Sequence, residues 1–311
     1  MKREIMLQMR QHASTPDALA CTQNYLADHL RTHVKKGDKV LLCFRSYEED
    51  SLGGLFAKSV MQCDAVPVRW GPDYRWKTLL QTAFVNRVTT IIAPPLVVLG
   101  LAKLIKHNRT PLYIRHVVTA GYPCLDWMID GIAQGLDCTC SGCFVLGDSP
   151  LVAGYSCNHS DGIHLRGDQY SVDIVDEKGN IVSPGQRGEM VLFLKATPHL
   201  RYPMGEFARY VSNPCTCGTQ SHRLKDMFPG NADMDLVNLG QQLHSWTSIL
   251  DCRLSKGDCG LEIELVVFPG EKLPKLPTAA KQVIRPWDPS ADIPMFYMPA
   301  EKTSGFFSEY Y

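Results

Sequence analysis

What this sequence lacks most plainly is surplus charge: 32 basic residues stand against 32 acidic ones, with no basic block along the chain. That balance argues against a nucleic-acid binder and offers no electrostatic attraction to an anionic membrane surface. Long apolar runs are missing as well. No stretch reaches the ~20 residues needed to span a bilayer, and Met1 to Arg10 alternates charged and apolar residues, unlike a secretory signal. The expected location is therefore the cytoplasm, with small molecules or proteins as partners. Other absences close further routes. Ser149 lacks the G-x-S-x-G frame of a nucleophile elbow, and no P-loop lysine follows Gly53-Gly54, whose expected use is close helix–sheet packing. The five tryptophans sit singly, without a stacking platform for bases. There is no internal repeat and no low-complexity tract.

What is present is a large apolar fraction and many thiols. With 45% hydrophobic residues over 311 positions, the chain can bury one large core plus an appendage. In a reducing compartment its 12 cysteines read as free thiols or metal ligands rather than disulfides. Cys215-Thr216-Cys217-Gly218 offers two thiolates from one tight turn, and Cys157 with a downstream histidine offers two more ligands from another loop. Three thiols and one imidazole make a closed tetrahedron suited to structural zinc. On spacing alone His159 competes with His164 for the fourth place. Cys138, Cys140 and Cys143 form a rival cluster, but they fall on an expected strand, where alternate residues point to opposite faces. Histidines 12, 29, 33, 107 and 116 lack partners at ligand spacing and read as surface or satisfied core residues.

The patterning predicts an α/β protein. Helices are expected over residues 17–34, 52–61, 78–85, 96–106 and 127–134, alternating with short strands over 39–44, 65–68, 89–93 and 116–120. Such alternation implies βαβ units and a mainly parallel, covered sheet. After Gly135 the texture turns β-rich, with tight turns at 177–180 and 183–185. A helix over 241–249 and a strand over 261–268 suggest a small α+β unit, and the proline-rich stretch from Pro269 to Pro299 reads as extended or irregular. The expected units are an α/β subdomain over 1–135, a β-rich one over 136–228 carrying the metal clasp, and a C-terminal α+β unit over 229–311.

In order along the chain, Gly37-Asp38-Lys39-Val40, Ala65 to Val68, Ile91 to Pro95 and Thr119 to Pro123 are followed by Asp161-Gly162-Ile163-His164. Asp173 to Asp176, Gly188 to Val191, Arg201-Tyr202 and Cys215 to Arg223 complete the series. Over residues 10 to 250 it resembles the phenylacetate-CoA ligase branch of the AMP-forming adenylating enzymes. The resemblance favours His164 as the fourth metal ligand, since it falls in that branch's D-G-L-H element. It implies that the Gly121-Tyr122-Pro123 turn packs on adenine, that Asp148 holds Mg2+, that Glu206 grips the ribose hydroxyls, and that Lys302 is the catalytic lysine, with Lys281 second. The implied ligands are ATP or AMP, Mg2+, and an aryl or acyl carboxylic acid, besides structural Zn2+. A homodimer stays open.

The departures bear on activity. The stretch matching the family's phosphate-binding loop is His12 to Pro16, which contains no glycine, although small residues are what let backbone N–H groups approach phosphate oxygens. The region preceding that loop in the family has no counterpart. Around Asp148 the neighbours are Phe144 to Gly147 rather than Y-G-x-S/T, and the hinge stretch reads Gly230-Asn231-Ala232-Asp233-Met234 without its arginine. The expectation is therefore a nucleotide- or acid-binding relative with weak or no catalysis. The alternative is an active acid-thiol ligase that forms acyl-AMP and passes the acyl group to CoA.

Overall fold

A computed structural model describes residues 15–44, 46–71, 75–121, 125–145, 152–157, 162–195, 201–229, 234–257, 260–276 and 280–290. Tyr122, Pro123, Asp148, His159 and Lys302 lie outside these residues.

The first helix, α1 (Pro16–Leu30), starts where Thr15 accepts the Ala18 N–H on its side chain at 3.4 Å and Pro16 pre-sets the first turn. β1 (Lys39–Leu42) and α2 (Leu52–Gln62) follow. α2 begins at Ser51, and its Gly53-Gly54 pair allows the helix to approach the preceding loop. A Cβ on Gly53 would lie 2.2 Å from the Ser46 carbonyl oxygen, and one on Gly54 1.8 Å from that of Glu48. Where helix–sheet packing was expected of this pair, its closest approach is to the loop that precedes the helix. Then come β2 (Val66–Arg69), α3 (Trp76–Val85), β3 (Thr90–Ala93), α4 (Pro95–Asn108), β4 (His116–Gly121), α5 (Asp126–Leu136) and β5 (Thr139–Val145).

β2, β1, β3, β4 and β5 lie side by side in that order, all parallel. Successive side chains serve opposite faces, as the pleat dictates. Leu41, Ile91 and Val117 enter a core with α3, α4 and α5, while Val40, Ile92 and Val118 enter another with α1 and α2. Both faces are therefore covered, as a parallel sheet requires.

The same sheet continues with antiparallel strands. β6 (Val152–Ser156), β7 (Ile163–Leu165), β11 (Arg223–Pro229), β10 (Tyr202–Tyr210), β9 (Arg187–Leu194) and β8 (Tyr170–Val175) extend it to 11 strands and enclose their own core around Ile174, Met190 and Leu224. A helix α6 (Met234–His244) leads to a separate three-stranded sheet of β12 (Ile249–Gly257), β13 (Gly260–Val267) and β14 (Lys281–Pro286). This sheet caps α4, where Lys103 donates to the Ile249 carbonyl at 2.6 Å and the His107 ring stacks on Phe268 at 4.0 Å.

The C-terminal part departs from the patterning. The helix expected over 241–249 ends at His244, because Leu236, Val237, Gly240 and Leu243 already supply a helical face seven residues earlier, and Ile249 begins a strand. Within the proline-rich stretch, Lys281 to Arg285 is free of proline and glycine and adds parallel to β13, with Lys281 paired to Glu262 at 2.8 Å. Among the described residues no helix is long and apolar enough to cross a membrane.

Candidate metal centre and nucleotide cleft

β6 and β7 form a hairpin in which Tyr155 opposes His164, and on its other side β7 pairs with β11 through His164 and Arg223. His164 thus sits on a strand bonded on both edges. Cys157 follows β6 directly. Cys215 and Cys217 come from the connection between β10 and β11, where the Gly218 N–H donates to the Cys215 carbonyl at 3.1 Å and Gly218 takes φ +82°, a conformation that favours glycine.

These three segments bring Cys157, His164, Cys215 and Cys217 together, with one ligand atom of each within 4.8 Å of every other. The Cys157 and Cys215 sulfurs are 3.5 Å apart, and Cys217 Sγ is 3.4 Å from His164 Nε2. A tetrahedral zinc with Zn–S bonds of about 2.3 Å spaces its sulfurs about 3.8 Å apart, so the cluster is close to ligand geometry. The cysteines are free thiols. His164 Nδ1 lies 2.9 Å from Ser221 Oγ, which leaves Nε2 as the ligand atom. Burial, with the Arg223 cation second, holds the His164 pKa below its ordinary value and keeps a neutral imidazole available. Hydrogen bonding from Thr219 lowers the Cys217 thiol to about 7, where thiolate is accessible.

The rival thiols do not converge. Cys140 enters the core beneath α4 and α5, whereas Cys143 enters the core beneath α1 and α2, on the other face of β5. Burial pushes Cys143 up to about 12 and Cys138 up to about 11, the behaviour of inert core thiols.

At the other candidate site, Gly121 is the last residue of β4 and opposes Phe144 on β5. β4 and β5 are adjacent parallel strands that end at Gly121 and Val145. Glu206 lies on β10 opposite Pro229, beside a break in the β9–β10 register between Pro203 and Phe207. In the sheet order β5, β6, β7 and β11 stand between its strand and that of Gly121. A cleft of about 260 Å³ opens between the first turn of α5, the end of β11 and α6, lined by Asp126, Trp127, Lys225, Phe228, Met234 and Val237 among others. Lys225 faces Asp126 at 3.6 Å; burial raises the Asp126 carboxyl and Lys225 opposes that rise.

One constellation escaped the sequence reading. His29 on α1 and His116 on β4 both reach Ser141 Oγ, at 3.3 and 3.1 Å, and His33 stacks on His116 at 3.6 Å. Burial drives His29 down to about 3 and His116 down to about 2, with neighbouring histidines adding to both. The four-residue spacing of His29 and His33, one helical turn, was the available signal.

No family model matches the chain. Human mitochondrial acyl-coenzyme A synthetase ACSM4 is 28% identical over 146 residues, covering 44% of this chain and 23% of that protein. The chain therefore spans about a quarter of the curated relative it matches. Among solved structures, 2-hydroxyisobutyryl-CoA ligase in the postadenylation state in complex with R3-HIB-AMP superposes with a TM-score of 0.69 at 15% identity, over 91% of this chain and 68% of that one. A benzoate CoA ligase from Burkholderia xenovorans gives 0.57 at 12% identity, over 89% and 64%. The chain thus has the fold of the AMP-forming acyl- and aryl-CoA ligases.

Proposed function

We propose that this protein binds an adenine nucleotide and an aryl or acyl carboxylic acid on an adenylating-ligase scaffold, with weak or no adenylating activity, and that its Cys3His clasp holds structural Zn2+. The observation that carries the nucleotide reading is the pairing of Gly121 with Phe144. It supports a ligand outside the carboxyl ends of β4 and β5, the position open α/β sheets reserve for ligands. On this reading Gly121, Tyr122 and Pro123 present backbone to adenine, Glu206 accepts from the ribose hydroxyls, and Asp148 holds Mg2+. Supporting comparisons are the ligases named above, one of which carries an acyl-adenylate in its structure.

Adenylation joins a carboxylate to the α-phosphate of ATP and expels pyrophosphate, which needs several placed donors around the developing charge. The glycine-free stretch from His12 to Pro16 is poorly suited to supply them, and Lys302 has no motif around it. The expected result is a rise in melting temperature with AMP or ATP and ATP–pyrophosphate exchange no greater than buffer across a panel of aryl and fatty acids. Absence of any nucleotide-dependent shift overturns the binding reading. Exchange above buffer that disappears in Lys302→Ala favours the second reading, an active ligase of the phenylacetate-CoA type that transfers its acyl group to CoA.

The metal reading rests on the convergence of four ligand atoms that leave no position for substrate, the mark of a structural site. Protein purified without added metal is expected to carry about one zinc per chain. The free thiols support a cytoplasmic setting. The start of α6 at Met234 supports a division near residue 228, whereas the change from parallel to antiparallel pairing comes after β5, at Val145, beyond the division proposed at 135.

A further inference from the structure

The clasp is also the far end of the surface on which α1 sits. α1 is fastened in two chemically different ways. Toward α2 its contacts are largely apolar, with Leu26 and Leu30 buried among Leu55, Phe56 and Val60. Toward the parallel strands it shares the apolar core with Val40, Ile92 and Val118, and toward the β6–β7 hairpin it rests on aromatic and charged groups. The Tyr155 ring lies 3.6 Å from that of His29 and 5.2 Å from that of Tyr25. The Arg166 guanidinium lies over Tyr25 at 4.6 Å and donates to Thr22 Oγ1 at 3.3 Å. A fork to Asp168, at 3.0 and 3.2 Å, fixes that guanidinium in place, and the side chain is buried.

Both supports belong to the hairpin that carries two clasp ligands. Tyr155 is two residues before Cys157, Arg166 is two residues after His164, and Tyr155 and His164 are direct cross-strand partners. Residues two apart on a strand, and residues directly opposed across an antiparallel pair, share one face. Tyr155, Cys157, His164 and Arg166 therefore project from the same face of the β6–β7 hairpin. Ile163, on the opposite face, lines the cleft beside α5.

We propose that metal occupancy of the clasp controls the docking of α1. The inference rests on the clasp reading given above. Without metal, the loop end of the hairpin loses its tie to the Cys215–Cys217 turn, and the pairing of β6 with β5 and β7 and of β7 with β11 is what remains to hold it. The aromatic and guanidinium seat then loosens, and α1 keeps its apolar contacts with α2 and the parallel strands and the contact of His29 with Ser141. The consequence reaches the nucleotide reading, because α1 starts at Pro16, where the stretch matching the phosphate-binding loop ends.

Hydrogen exchange on the full chain, zinc-loaded and after treatment with a strong zinc chelator, tests this. Exchange in residues 16–30 is expected to accelerate about tenfold or more on zinc removal, while α4 keeps its protection. Tyr155→Ala is expected to give the same local acceleration with zinc still bound, and Tyr155→Phe is expected to leave it unchanged. Zinc content is measured on every sample. Bound zinc whose removal opens residues 211–222 but leaves α1 protected overturns the coupling and spares the clasp. Protein that takes up no zinc overturns both. If chelation unfolds the whole chain, zinc-loaded Tyr155→Ala decides: an unchanged α1 overturns the proposal and a loosened one upholds it.

Discussion

The clasp and the nucleotide side are built by opposite means. Clasp ligands come from segments that touch: β6 and β7 form a hairpin, β11 pairs with β7, and the Cys-x-Cys turn closes over them. The proposed nucleotide site would draw Gly121 from a parallel strand and Glu206 from an antiparallel one, with four strands between. A site assembled from adjacent strands has backbone hydrogen bonds to bring its ligands close together. A site assembled across a sheet depends on the loops that bridge it. The two should fail differently when perturbed, and the largest effect should come from the clasp. Cys215→Ser removes a buried ligand, is expected to abolish the stoichiometric zinc, and should cost about 4 kcal/mol or more, the range reached when a structural metal is lost. Metal analysis with chemical denaturation checks it; a variant that keeps both zinc and stability breaks the contrast.

Acid should weaken the α1 face next. His29 and His116 are buried and neutral, packed with His33, Tyr155, Ser141 and Thr139, and their folded pKa values of about 3 and about 2 lie below the ordinary 6.5. For a base with a depressed folded pKa, the stability contribution is complete above pH 6.5 and is lost as pH falls toward the folded value. At pH 5 the loss is roughly 2 kcal/mol for each of the two. Urea denaturation at pH 7.5 and pH 5.0 measures it. Since zinc ligands also protonate in acid, the comparison is made on zinc-free protein as well, where the histidine contribution should persist.

The parallel block was legible because its inner strands are buried on both faces and read as short apolar runs between turn signals, as in Thr90 to Ala93. The convergence of the clasp residues was legible because Cys-x-Cys-Gly is a local pattern and because Cys157 and His164 fall seven residues apart on either side of one hairpin loop. The histidine cluster was not. His29 meets Ser141 across 112 positions of sequence, and no local period records that α1 lies over β5. β14 was hidden for a related reason: its residues are mostly exposed, so its strand character comes from pairing with β13 rather than from any apolar alternation.

On the nucleotide side the expected effect is smaller. Glu206→Ala removes the acceptor assigned to the ribose hydroxyls and should weaken AMP binding about tenfold while leaving zinc content intact, since a hydrogen bond to a charged group contributes about 1.5 kcal/mol. Calorimetric titration of AMP reads it. Unchanged affinity removes Glu206 from the site and sharpens the division between the two regions.

The smallest effect distinguishes a clasp that is merely crowded from one built around a metal. Ser221 Oγ lies 2.9 Å from His164 Nδ1 and touches none of the sulfurs in ligand contact, so its role is to fix the ring with Nε2 toward Cys217. In Ser221→Ala the imidazole regains some rotational freedom and loses one neutral hydrogen bond, a change of about 1 kcal/mol. If Nε2 ligates zinc, that change appears in metal affinity, about fivefold weaker in a chelator competition, because an outer partner tunes its ligand. If the four residues only pack against one another, the same change appears in unfolding free energy of zinc-free protein and leaves zinc competition untouched. Ser221→Thr, which keeps the hydroxyl, should restore the affinity in the first case.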